Sequence, residues 1–67
     1  MLGEFTMKVE SKASGYEYQS LHRYPKVEDA VISAFLHALR NGLMLFTITV
    51  LNGDKQEKMN LTVSRAS

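Results

Sequence analysis

Residues 43–63, LMLFTITVLNGDKQEKMNLTV, contain two apolar runs on either side of an Asn-Gly pair, and their reading decides the fold. Asn52-Gly53 tolerates the positive φ that a tight hairpin turn requires, and alternating residues flank it on both sides. A two-residue loop places Met44 opposite Leu61 and Phe46 opposite Met59. A four-residue loop over 52–55 instead pairs Met44 with Val63, Phe46 with Leu61 and Ile48 with Met59. The two registers differ by an even shift, so Met44, Phe46, Ile48 and Val50 share a face with Met59, Leu61 and Val63 in either. The other face then carries Leu43, Leu45, Thr47, Thr49 and Leu51, with Gln56, Lys58, Asn60 and Thr62.

The N-terminal segment repeats the pattern. Phe5, Met7 and Val9 alternate with Thr6, Lys8 and Glu10, as in a strand with one buried face. Ser14-Gly15 reads as a turn, followed by a second strand holding Tyr16 and Tyr18. A two-residue turn sets Ser11 against Tyr18 and Val9 against Ser20, which brings both tyrosines to the Phe5 side with their hydroxyls at the rim. If 12–24 formed a loop instead, a three-stranded sheet with the same helix would remain.

Between the hairpins, Pro25 suits the first turn of a helix, where its missing N–H costs nothing. Glu28 and Asp29 follow where the helix dipole favours acids, Arg40 lies near the negative end, and Gly42 supplies a C-terminal stop. The expected helix spans 26–41. At about 100° per residue, Val27, Val31, Ile32, Phe35, Leu36 and Leu39 form an apolar arc centred near Phe35, opposite Asp29, Ser33, His37 and Arg40. Phe35 is therefore the expected core anchor and His37 a solvated residue. Ala30, Ala34 and Ala38 form a separate row, suited to a core margin or to close approach by another chain.

Together these segments predict one α+β domain over 1–67, in the order β-β-α-β-β, with one helix packed on an antiparallel sheet. The period does not order the strands, because the helix can return the third strand beside either strand of the first hairpin.

Such a short chain buries only about 60% of the surface it exposes when unfolded, so it has a physical reason to seek more contact. No cysteine is present to form a disulfide, and His22 and His37 lie far apart with no zinc-ligand spacing around them. Homo-oligomerisation is the remaining support, and two surfaces suit it: the sheet face with Leu43, Leu45 and Leu51, or the helix row Ala30, Ala34 and Ala38. The sheet face offers the larger apolar area.

No catalytic chemistry is legible. The chain lacks a Gly-rich phosphate loop, a nucleophile elbow and a histidine pair at helical metal-binding spacing, so the expectation is a non-enzymatic protein with no cofactor and no metal. A formal net charge of +1 selects no polyanionic partner. The best anion-binding candidate is the loop with His22, Arg23 and Lys26, which together with Lys8, Lys12 and Lys58 gives an alternative reading as a nucleic-acid-binding accessory protein. Pro25 removes one donor from that helix start, and Glu28 and Asp29 compete for its positive end. No leader pattern is seen and no apolar run approaches the roughly 20 residues of a membrane span, so the expected location is cytoplasmic. The leading expectation is a small interaction or regulatory accessory module that associates with itself.

Overall fold

A computed structural model describes residues 4–53 and 58–65. The elements are β1 (Phe5–Ser11), β2 (Tyr16–Gln19), α1 (Val27–Arg40), β3 (Leu45–Asn52) and β4 (Lys58–Ser64). They form one antiparallel sheet in the order β2-β1-β3-β4, with α1 packed on β1 and β3. This is the α+β architecture expected from the sequence, with the helix returning β3 beside β1.

Both hairpins keep the expected faces and shift their registers by an even number. In the first, Val9 pairs with Tyr18 and Ser11 with Tyr16. Four residues, 12–15, make the turn, and Gly15 adopts φ 70° at its end. In the second, Phe46 pairs with Val63, Ile48 with Leu61 and Val50 with Met59. Asn52 cannot join a tight turn because it still belongs to the ladder, paired with Phe5 of β1. Gly53 accordingly lacks positive φ, and its N–H donates to the Glu4 carbonyl at 3.2 Å. The turn beyond Gly53, with the expected placement of Lys55 and Gln56, lies outside the described residues. Parity survives both corrections because the alternation constrains the face and not the turn length.

The helix ends fall near the expected bounds, with Lys26 and Asn41 as the flanking caps, but Pro25 precedes the N-terminal cap and is not part of the first turn. Gly42 at φ 69° closes the C-terminus: its N–H donates to the Leu39 carbonyl at 3.1 Å, and the Leu43 N–H donates to Ala38 at 3.0 Å. These two bonds are the Schellman pattern, which carries an apolar contact from the residue after the glycine. Leu43 is that residue, and it is buried. It therefore leaves the strand alternation and joins the core, not the outer face expected of it. Met44, expected on the inner face, lies before β3 and is exposed.

The core is Met7, Val9, Leu43, Phe46, Ile48 and Val50 beneath Ala30, Ala34 and Ala38, all three alanines being 0% exposed. The alanine row is thus the inner face of α1, unavailable to another chain. The helix is turned by about 100°, one residue step, from the orientation its largest apolar arc suggests. Phe35, the expected anchor, is 37% exposed and meets the core at a tilt, its ring centroid 6.0 Å from that of Phe46. Bulk in this contact comes from the sheet, whose Phe46 and Ile48 fill the volume that three methyl groups leave open.

Candidate functional site

The rotation of α1 makes the two flanks of the sheet unlike. On the β2 side, the residues expected to be solvated and rim-exposed close over one another. His37 is half-buried and stacks on Tyr18 with ring centroids 3.9 Å apart at an interplanar angle of 21°. The Tyr16 hydroxyl is hydrogen-bonded to His37 Nε2. A polar helix residue can turn toward the sheet when another element satisfies it, and β2 supplies both tyrosines for that purpose. This partnership is invisible to helical periodicity.

The β1 edge on this side is closed as well. The Ser20 N–H donates to the Met7 carbonyl at 2.9 Å, and Phe5 exchanges backbone hydrogen bonds with Tyr24 at 3.1 and 2.7 Å. These contacts anchor the loop that carries the anion-binding candidates. Ser20 Oγ binds the His22 backbone, and the His22 ring meets Tyr24 edge-on at 4.8 Å. The side chains of His22, Arg23 and Lys26 are exposed. Lys8, the outer-face cation closest to the middle of the sheet, is neutralised by Glu10 at 3.7 Å and Glu17 at 3.9 Å.

On the β4 side no described residue plays the part of the tyrosines. Helix α1 packs on β1 and β3, and the inner face of β4 extends past it. Met59 and Leu61 are each 43% exposed there, while Ile32 and Leu36 on the far side of the helix are 56% and 49% exposed. A largely apolar groove of about 510 Å³ runs between the two elements, lined by Val27, Val31, Ile32, Met59 and Leu61 together with Glu28 and Asn60. These residues carry the periodicity of a core and were assigned to one, so their exposure could not be anticipated without knowing how much sheet the helix covers.

The outer sheet face is more polar. Thr49 Oγ1 donates to Asn60 Oδ1 at 3.0 Å, and Thr47 lies 3.4 Å from Thr62 between hydroxyls. Leu45 remains exposed on this face and Leu51 half-buried, at opposite ends of β3. About 20 Å of strand separates them, so with Leu43 in the core they do not form a continuous patch.

Among the described residues no group of three or more His, Cys, Asp or Glu side chains could hold a metal ion. No helix among them is long and apolar enough to cross a membrane. Comparison with protein-family models, curated proteins and solved structures finds no match for the chain in any of the three.

Proposed function

We propose that the protein is a non-enzymatic interaction module that associates with itself through the open flank between α1 and β4. The observation that carries this reading is the set Ile32, Met59 and Leu61, three large apolar side chains about half-exposed around one groove. Isolated exposed apolar residues are ordinary on a protein surface, whereas a contiguous patch beside a groove is characteristic of an interaction site. Completing the burial of a half-exposed side chain at the contact is worth about 1 kcal/mol. In a twofold contact each residue contributes from both copies, so a single substitution acts twice.

Light scattering across a concentration series tests this. The expected result is a dimer at high micromolar concentration and a monomer on dilution. Leu61→Lys is expected to weaken the dimer by about 2 kcal/mol, roughly 30-fold in dissociation constant. A monomer at every concentration would refute the proposal.

A further inference from the structure

We infer, resting on that reading, that the partner at the open flank is β4 of a second copy, added antiparallel edge to edge with Leu61 on the twofold axis. The backbone argument begins at the end of the last ladder. The Arg65 N–H donates to the Met44 carbonyl at 2.8 Å, so Arg65 turns its main-chain groups toward β3. Alternation then turns those of Val63, Leu61 and Met59 toward β3 as well, and those of Lys58, Asn60, Thr62 and Ser64 toward the free edge. An added strand must therefore form its hydrogen-bonded pairs with the even-numbered residues.

Antiparallel self-pairing meets that condition in several registers, but one of them uses all of β4. With Leu61 opposite the partner's Leu61, Met59 faces the partner's Val63, Asn60 faces the partner's Thr62, and Lys58 faces the partner's Ser64. All seven residues of the strand are paired. A slip by two residues in either direction leaves part of it bare. The same register matches chemistry, since directly opposed residues lie on one face. Apolar residues meet apolar residues inside, polar residues meet polar residues outside, and residues 59–64 carry no charge to oppose its own copy.

Among the described residues the edge lacks the usual protections against such pairing. Long edge strands are normally blunted by proline, inward charges, bulges or a covering element. Strand β4 carries one terminal lysine and none of the other devices in its sequence or its ladder. The helices do not obstruct the arrangement. Each sits over β1 and β3, so at a strand spacing near 4.8 Å their axes stand about 19 Å apart, more than a helix diameter of about 10–12 Å. The two grooves then merge into one cleft whose floor is Met59 and Leu61 of both copies. A seven-residue edge contact with this apolar flank belongs with small interfaces, below about 1,200 Å² in total, which sets the high micromolar range for the test.

Hydrogen exchange on the unmodified protein reads the proposed bonds directly. The Asn60 and Thr62 amides face solvent in the monomer and a carbonyl in the dimer, so their exchange should slow with concentration, roughly tenfold when nine chains in ten are paired. The Met59 and Leu61 amides, already bonded to β3, act as internal controls. A second test exploits the absence of cysteine. Opposed residues at a non-hydrogen-bonded position lie about 4.5 Å apart between Cα atoms, within disulfide reach. Leu61→Cys should therefore oxidise to a covalent dimer, while Met59→Cys, displaced from the axis, should not. A dimer by light scattering whose Asn60 and Thr62 amides keep their monomer rates, or which crosslinks equally at both positions, would overturn the edge pairing and leave self-association standing. A protein that remains monomeric would overturn both.

Discussion

The two flanks of this sheet begin from similar resources and end differently. Each has an edge strand beside the helix and large side chains on its inner face. On the β2 flank, Tyr16 and Tyr18 fold up against a histidine that can bond one and stack on the other. On the β4 flank, Met59 and Leu61 face a helix side that carries Val31 and Ile32, and no described side chain is long enough to close the gap. Closure of a small domain therefore depends on reach and polarity as much as on hydrophobicity: a tyrosine spans from the strand to the helix and finds a partner at its tip.

The contrast assumes that the core lies under the alanine row and that Phe35 belongs to its margin. Phe46→Ala is expected to cost about 3–5 kcal/mol in urea unfolding. Phe35→Ala should cost less than half as much, and equal losses would mean that the helix is turned toward the arc its periodicity suggested. Next in size is Ala34→Leu, which forces bulk into a contact made by methyl groups and should destabilise by about 1–3 kcal/mol. A neutral result would show that the helix does not sit close to the sheet. The smallest effect belongs to the closed flank itself. A double-mutant cycle between Tyr18→Ala and His37→Ala should return about 0.5–1.5 kcal/mol of coupling, the range of a stacked pair beyond its burial. Zero coupling would make the two flanks equivalent and remove the comparison.

The sequence makes the fold legible wherever one residue type does one job. Gly42 sets the helix C-terminus and alternation sets the sheet faces, because backbone geometry ties these signals to local structure. Register was less legible, since an alternating pattern is satisfied by every even shift and the first turn takes four residues where Ser14-Gly15 suggests two. The rotation of α1 was least legible. Its apolar arc is wider than the surface the sheet can cover, so periodicity alone does not choose which part is buried. The choice depends on His37 finding Tyr16 and Tyr18, a contact between elements that no local window contains. The same reason hid the candidate site: Ile32, Met59 and Leu61 look like core residues, while Ala30, Ala34, Ala38 and Leu43 looked available and are buried.

The pairing of β1 with β3 brings Phe5 to Asn52 and Glu10 to Thr47, so the centre of the sheet joins the two ends of the sequence. On a ribosome that releases roughly 5–20 residues per second, the first hairpin and the helix wait a few seconds before β3 can reach them. A two-stranded hairpin alone is marginal in water, and the helix lays on it little more than the alanine methyl groups and the His37 ring. Commitment to the native state therefore comes late and from the C-terminal half, with the rate set by closing that long loop. With a C-terminal linker long enough to fill the tunnel, a nascent chain stalled before Leu45 has emerged should be open to protease, and one stalled after Ser64 has emerged should be protected.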